Sequence, residues 1–466
     1  MTLLRLKDLK GPKGYPIVGN IPKLDVPNIH RQFENWAEEY GDVFRLNLGY
    51  TNQTIVTRPS IIQHIYADRP DGFVRMKKMD SILRDGGVHG LFNAEGDEWK
   101  LHRKIIAKGL DVKHQKQFYP ALLKVVERLY NKWSKDAESG EPFDIQRDLL
   151  RFTVDVTASL AFGIDMNTLE QTGGAIQDHM DKVFPMIFKR INQPILLYKY
   201  FKTKDDKDFD AAVAEMNKLI DVFIESGKEK IKANPELKEN PSNVLEAILN
   251  AADEEESFGT KEVRGNLLTL LLAGEDTTAH TISWMIFLLT QHTEAQEGLR
   301  KEADEILGAD SWLMAYDLHA KLKYTDATAL ESMRFKPVAP GMLFQATRDV
   351  VIEEFQFVKG QKVIIQTRAA AVKEENFTKA KSFNPDRWLK ESRCPMHNTD
   401  AFSPFGGGAR YCPGRNLAML EIKMVISMLF KNFNIEMVTD HSDIREILAF
   451  TMMASDYKVR LSKRTS

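Results

Sequence analysis

Apolar positions recur at helical spacing along most of the chain, and this pattern predicts a mainly helical protein. The spacing predicts a helix over 28–40 that ends at Gly41, and long helices at about 114–138, 145–162, 175–189, 206–232 and 260–291. Residues 43–48 and 54–57 predict a hairpin with Gly49 and Asn52 in its turn. Strand-like runs return only at 362–367 and near the C-terminus. We therefore expect a mainly α fold with a small β lobe assembled from distant pieces.

The bulk composition is that of an ordinary globular chain. Of the 466 residues, 43% are hydrophobic and 28% are charged, and no Gly/Ser-rich or Pro-rich linker interrupts them. This favours one domain over 1–466, whose β-rich part is at about 41–58 plus the late strands. The net charge of −2 argues against bulk attraction to nucleic acid.

The cysteine content and the N-terminal sequence indicate the cellular compartment of the protein. With only Cys394 and Cys412, a disulfide framework is not expected, which favours a reducing compartment. The first residues contain neither an 18-residue apolar run nor the apolar segment of a signal peptide. We therefore expect a soluble cytoplasmic protein without a transmembrane anchor.

The segment 402–414, here called the cysteine loop, carries the strongest chemical signal. Three glycines at 406–408 allow the backbone to approach a flat ligand closely. Cys412 stands just before a predicted helix over 415–430, with Pro413 suited to the first helical position. The free N–H groups and the dipole at a helix N-terminus favour the thiolate form of a cysteine. The alternative is that Cys412 is a small buried residue beside a glycine-rich turn.

The predicted helix over 260–291, here called the oxygen helix, has one face with unusual residues. Spacings of three and four place the following residues on that face: Val263, Leu267, Leu270, Gly274, Thr277 and Thr281. A mid-helix glycine costs about 1 kcal/mol, so Gly274 either makes room for something or is tolerated drift. Thr277 is expected to bond back to the Ala273 carbonyl, and Asp276 can supply protons as a general acid. Alternatively, Glu275 and Asp276 are solvated and Thr277 is core.

Together the two segments resemble the cytochrome P450 family. The cysteine loop reads Phe405-x-x-Gly408-x-Arg410-x-Cys412-x-Gly414, and the oxygen helix contains Ala-Gly-x-Asp-Thr-Thr over 273–278. The resemblance covers nearly the whole chain. It implies a triangular helical prism with haem b between the oxygen helix and the cysteine helix, and Cys412 as the axial ligand of the iron. It further implies that Asp276 and Thr277 are catalytic.

The resemblance assigns further residues around the haem. Ala273, Gly274 and Phe405 would contact it, and Trp99, Arg103 and Arg410 would hold its propionates. Glu331 and Arg334 resemble the family's Glu-x-x-Arg, which is joined by a later arginine, here Arg387, in a structural lock. The family commonly has another arginine where this chain has Gln345. Either the propionate set lacks one charge or Arg348 substitutes.

A basic surface and the lack of a fused reductase point to an external electron donor. Cations cluster along 100–116, and Arg415 and Lys423 follow the cysteine. If both segments share one face, that face would attract an acidic ferredoxin or flavodoxin-type partner. The other interpretation is an ordinary solvated helix face.

The positions that line the substrate pocket in the family are apolar here. This set includes Ile82, Leu83, Phe184, Phe188, Leu270, Phe344 and Met452. They favour a lipid, terpenoid or steroid-like substrate. The run over 184–202 is apolar with basic residues at intervals, which fits a pocket roof or a peripheral membrane contact.

Three functions remain open at this stage. The first is a monooxygenase that uses O2 and electrons derived from NAD(P)H. The second is a haem-thiolate enzyme that uses a ready-made peroxide, as a peroxygenase or hydroperoxide isomerase does, although such relatives usually lack the acid–threonine pair. The third is a non-enzymatic haem-thiolate sensor, against which the lack of a signalling domain counts.

Overall fold

A computed structural model describes residues 3–49, 51–171, 175–193, 196–255, 257–389 and 397–464, with the backbone alone for 175–181 and 184. Cys394 and the side chain of Phe184 therefore lie outside the described part. The helices are α1 Ile29–Tyr40, α2 Pro59–Ala67, α3 Lys77–Asp85, α4 Gly96–Gly109, α5 Val112–Ser139, α6 Ile145–Phe162, α7 Ala175–Asn192, α8 Lys204–Ala233, α9 Val244–Asp253, α10 Thr260–Leu289, α11 Thr293–Leu307, α12 Lys323–Phe335, α13 Arg368–Ala371 and α14 Arg415–Asn432. The strands are β1 Val43–Asn47, β2 Asn52–Val56, β3 Phe73–Arg75, β4 Gly341–Ala346, β5 Val350–Ile352, β6 Phe355–Phe357, β7 Lys362–Gln366, β8 Phe433–Met437, β9 Glu446–Leu448, β10 Met452–Ala454 and β11 Val459–Lys463.

The chain divides into two compact units. The first comprises Met1–Asp80, Leu330–Cys412 and Glu446–Met453. The second comprises Ser81–Ala329, Pro413–Arg445 and Ala454–Ser466. The first unit contains the sheet of β1–β4 and β7, and the second contains the long helices, so the predicted mainly α architecture with a small β part is confirmed.

The principal sheet of the first unit is assembled from distant segments, as predicted. Its strand order is β1-β2-β7-β4-β3, with β2 and β7 parallel and the other pairs antiparallel. Alternating residues fill two apolar layers. Val56 and Val363 join a core with α2, whereas Phe44 and Ile55 join one with α1. The hairpin is confirmed, but Asn52 is the first residue of β2 and not a turn residue.

In the second unit, α10 packs along α6. Helix α6 has the predicted bounds because both ends are capped: Asp144 accepts from the N–H groups of Gln146 and Arg147, and Gly163 takes a left-handed φ of 68°. Of the 30 residues of α10, 21 are buried, so apolar residues occur on most sides of the helix. Helix α14 also packs on α10 within this unit.

A buried charge cluster ties α12 to the segment that leads to the cysteine loop. Glu331 accepts from Arg334 Nε and Nη2 at 2.9 and 2.8 Å, and from Arg387 Nε at 3.0 Å. Trp388 Nε1 donates to the second carboxylate oxygen at 2.8 Å, and the remaining guanidinium N–H groups bond backbone carbonyls. The three side chains that the motif predicts to interact are therefore in contact, fully buried and extensively hydrogen-bonded.

A second charge cluster in the same unit has no signature in the sequence. Glu446 accepts from His30, Arg31, Lys336 and Arg368, all on segments distant in sequence. Burial alone would raise the pKa of the Glu446 carboxyl, but His30 and the three cations hold it well below its usual range. This carboxylate therefore fixes β9 against α1, α13 and the residue that follows α12.

Replacing Glu331 with glutamine should strongly destabilise the protein. The variant keeps the shape but leaves Arg334 and Arg387 buried without a counter-charge, a change that costs about 3–5 kcal/mol. The free energy of unfolding in urea measures this. The matched control is Glu436→Gln, which breaks an exposed pair with Arg460 and should cost less than about 1 kcal/mol. Equal losses in the two variants would contradict the prediction.

Candidate haem-thiolate site

The glycines of the cysteine loop have two roles: two of them allow the loop to pack closely on α2, and one leaves space for a ligand. A Cβ on Gly408 would lie 2.0 Å from the carbonyl oxygen of Tyr66, and one on Gly407 would lie 2.9 Å from its ring. By contrast, the nearest atom to a Cβ on Gly406 is Met342 Cε at 3.9 Å. Gly406 and Gly408 also have positive φ angles of 73° and 62°. Of the three, Gly406 is the one with open space for a flat ligand.

Cys412 lies where the loop turns toward α14. Its N–H donates to the Phe405 carbonyl at 3.0 Å, which closes the loop, and its thiol is partly exposed. Helix α14 begins at Arg415 with Gly414 as its N-cap, so Pro413 precedes the cap and does not occupy the predicted first helical position. The thiol is thus covalently close to a helix N-terminus, where N–H groups and the dipole favour thiolate.

One stripe of α10 is open although its neighbours are buried. Ala273 is exposed, and Leu270, Gly274 and Thr277 are half-buried, whereas residues 278–289 are all buried. These four positions follow helical spacing, so they form a single open face in the middle of the helix. Where an open face interrupts an otherwise buried helix, a bound ligand is expected to complete the packing.

Thr277 adopts the predicted local geometry. Its Oγ1 donates to the Ala273 carbonyl at 2.8 Å, and Thr281 repeats the pattern with the Thr277 carbonyl at 2.7 Å. Asp276 is half-buried beside it. Glu275 is buried, so the interpretation of both acids as solvated is wrong for Glu275.

Gly274 is required by helix packing. A Cβ at this position would lie 2.5 Å from Thr157 Oγ1 and 3.2 Å from its Cγ2 on α6. Such distances are far inside van der Waals contact, so a larger residue would separate the helices. From the sequence, Gly274 either makes room for something or is tolerated drift. Within the second unit, it makes room for the side chain of Thr157.

The proposed propionate residues lie in both units. On α4, Trp99 is buried and Arg103 half-buried; Arg410 is half-buried in the cysteine loop. Indole and guanidinium N–H groups are donors that suit carboxylates, so these side chains fit the edge of a haem.

His102, on α4 between Trp99 and Arg103, packs into the interior of the second unit. It is buried, its Nδ1 lies 3.1 Å from Asn266 Nδ2, and its ring packs edge-on against Phe258 at 5.0 Å. Burial lowers the pKa of its imidazole. Asn266 also accepts from the Leu91 N–H at 2.8 Å, so this pair fixes α4 to α10 and could not be found from local spacing.

Gln345, which stands where the family commonly has an arginine, lies in the principal sheet of the first unit. Gln345 lies in β4 opposite Lys362 of β7. Arg348, more than half exposed, donates to Asp68 at 2.6 Å. Asp68 therefore engages the cation that was a candidate substitute for the missing arginine.

The predicted pocket residues are placed differently from one another. Leu270 and Phe188 are half-buried, while Ile82, Leu83 and Met452 are almost fully enclosed. Phe344 is fully buried in the sheet core of the first unit, edge-on to Tyr66 and beneath the Arg69 guanidinium at 4.5 Å.

The predicted basic surface is offset by acids. Four of its lysines have a carboxylate partner: Lys100 with Asp97 at 2.9 Å, Lys104 with Glu255 at 2.7 Å, Lys108 with Glu254 at 3.8 Å and Lys116 with Asp317 at 2.7 Å. Lys423 is buried against Asp326 at 2.7 Å. The electrostatic attraction inferred from the lysines alone is therefore too large.

Comparison with known proteins identifies the class that this fold and thiol define. The chain belongs to the cytochrome P450 family, whose model matches residues 9–461. It is a haem-thiolate monooxygenase of that family, as predicted, and the family implies a haem cofactor, O2 and a redox partner.

Individual relatives are distant. The chain is 26% identical over 442 residues to "Protein LUTEIN DEFICIENT 5, chloroplastic" of Arabidopsis thaliana, covering 91% of this chain and 73% of that protein. It is 26% identical over 462 residues to the bifunctional cytochrome P450/NADPH–P450 reductase 2 of Bacillus subtilis, covering 97% of this chain but 42% of that protein. The crystal structure of the cytochrome P450DA haem domain superposes with a TM-score of 0.87 at 22% identity, covering 100% of this chain and 99% of that one, which confirms the predicted P450 fold.

Among the described residues, no helix combines the length and the apolar character needed to span a bilayer.

Replacing Gly274 with alanine should destabilise the protein, and Thr157→Ala should restore much of the loss. The added methyl overlaps Thr157, and overpacking of this kind costs about 1–3 kcal/mol. Thr157→Val should not restore stability because valine places a methyl group where threonine has its hydroxyl. Unfolding free energies of the single and double variants form a cycle, and additive effects in the Gly274→Ala/Thr157→Ala pair would disprove the overlap.

Proposed function

We propose that Cys412 is the axial ligand of haem b and that the two units together form one catalytic domain. The observation that carries this is the position of the thiol three residues before the N-terminus of α14, where thiolate is favoured. Trp99, Arg103 and Arg410 would hold the propionates, and Phe405, Ala273 and Gly274 would contact the ring. The lock formed by Glu331, Arg334 and Arg387 would hold the cysteine loop in place without chemical participation.

Proton delivery is the chemical task of the oxygen helix. When bound, the haem supplies oxygen activation, and its thiolate ligand favours cleavage of the O–O bond. The Asp276 carboxyl supplies protons, and Thr277 Oγ1 passes them on. The hydrogen bond of Oγ1 to the Ala273 carbonyl fixes the direction of that hydroxyl.

The substrate is an apolar organic molecule of the lipid, terpenoid or steroid-like class. Leu270 and Phe188 support this because each presents a partly exposed apolar side chain. Binding-induced changes in the haem spectrum test it, with laurate and progesterone as apolar probes and glucose as a polar one. A response to glucose alone would contradict the assignment.

Electrons derived from NAD(P)H arrive from a separate ferredoxin or flavodoxin-type protein. Because Lys104, Lys108 and Lys116 have acidic neighbours, the contact depends less on bulk charge than the sequence indicates. The run over 184–202 would roof the pocket or touch a membrane surface, and the protein would act in the cytoplasm. A peroxide-using enzyme is the alternative, and a sensor without turnover is the third.

Cys412→Ala should abolish the red-shifted Soret band that thiolate-ligated haem gives on binding carbon monoxide. The measurement is the difference spectrum of the dithionite-reduced protein with and without carbon monoxide. Cys394→Ala, which removes the chain's other cysteine, should retain the shift. A wild-type protein without a shifted band would exclude the proposed ligand.

Thr277→Ala should release peroxide in place of product if the enzyme is a monooxygenase. General acid catalysis contributes about 10²–10⁴-fold, so we expect product per electron pair to fall at least about tenfold. Peroxide and oxidised laurate or progesterone are measured with a surrogate ferredoxin and its reductase. The control Thr281→Ala changes a threonine one turn further along and should remain coupled. An unaffected Thr277→Ala would favour a peroxide-using enzyme, and turnover of any substrate would exclude the sensor.

A further inference from the structure

Thr157 is the exception among neighbouring threonines. Thr153, Thr269 and Thr277 each donate their hydroxyl to the carbonyl four residues earlier. Within the described part of the chain, the Thr157 hydroxyl makes no hydrogen bond, although the residue is only 8% exposed. The hydroxyl oxygen is not among the fully enclosed orphan polar atoms, so a water can reach it, and a bound water is the expected partner.

The surroundings of Thr157 indicate where that water lies. Its Oγ1 is the atom nearest to an ideal Cβ on Gly274, at 2.5 Å, so the hydroxyl faces the oxygen helix. Ala273, Gly274 and Thr277 form the part of α10 that is open. The accessible side of the hydroxyl oxygen is therefore where a water would bind. Gly274 and Thr277 are three residues apart on one helix face, where neighbouring side chains are about 5–6 Å apart.

We propose that the Thr157 hydroxyl holds a water molecule against Gly274 and thereby positions the proton path that ends at Thr277. This inference rests on the proposed monooxygenase function. Thr157 is a positioning residue, because it acts through the water and through Thr277. Its methyl group fills the groove between α6 and α10, while its hydroxyl, freed from its own helix, serves as donor and acceptor for the water.

A crystal structure of the haem-loaded wild-type protein and of Thr157→Val gives a direct test that does not depend on turnover. We expect an ordered water within hydrogen-bond distance of Thr157 Oγ1 in the wild type, and its loss in the valine variant without displacement of α6. A dry site in the wild type would overturn the proposal.

The functional test compares Thr157→Val with Thr157→Ser under the peroxide assay. Losing one hydrogen bond of about 0.5–1.5 kcal/mol corresponds to about a two- to tenfold effect, so the valine variant should release about two- to tenfold more peroxide. Serine keeps the hydroxyl and should behave as wild type. Thr153→Val on the same helix is the matched control and should not raise peroxide release.

The outcomes separate this inference from the function on which it rests. If Thr277→Ala uncouples the enzyme but Thr157→Val does not, the role of Thr157 is refuted and the monooxygenase stands. If Thr157→Val and Thr157→Ser leak equally, retention of the hydroxyl makes no difference, and the proposal fails. If Thr277→Ala also has no effect, the proton path itself is wrong, and the crystallographic water alone decides whether Thr157 binds one.

Discussion

The first unit depends on the hydrogen bonds that the buried Glu331 carboxylate accepts from its neighbours. The carboxylate is fully buried, and it is acceptable there because two guanidinium groups and an indole N–H satisfy both of its oxygens. Trp388, the indole donor, packs against Phe402 with ring centroids 4.7 Å apart, and Phe402 begins the cysteine loop. A rigid chain of contacts thus runs from α12 to the loop that presents Cys412.

The second unit depends on a different constraint, which is the close approach of α6 and α10. Gly274 permits that approach because it has no side chain, although a glycine in the middle of a helix lowers the stability of the helix. The stripe of Leu270, Ala273, Gly274 and Thr277 is open in the same part of the helix. Close packing on α6 and an open face beside the acid–alcohol pair therefore meet at one glycine.

Local and short-range features of the sequence were sufficient for much of this picture. Helix α6 follows from its apolar period and its capping residues, and the bond of Thr277 to Ala273 follows from helix geometry. The Glu331 cluster could be anticipated from the resemblance to the family, since a Glu-x-x-Arg spacing is common in helices and does not by itself predict burial. The Glu446 cluster and the His102–Asn266 pair could not, since their partners are far apart in sequence and no spacing rule connects them. The acidic partners of Lys104 and Lys108 on α4 were missed for the same reason, since Glu255 and Glu254 are distant in sequence.

The charge balance along α14 completes the argument for a thiolate. The helix begins just after Cys412, where its dipole favours negative charge. Glu421, in the second turn, would oppose that effect if it were ionised. It is instead fully buried, and burial raises its pKa well above the ordinary value, so the carboxyl remains neutral at pH values where exposed glutamates are charged. The sequence shows an acid at this position, and only its burial in the folded helix keeps it from opposing the dipole of α14 as an ionised glutamate would.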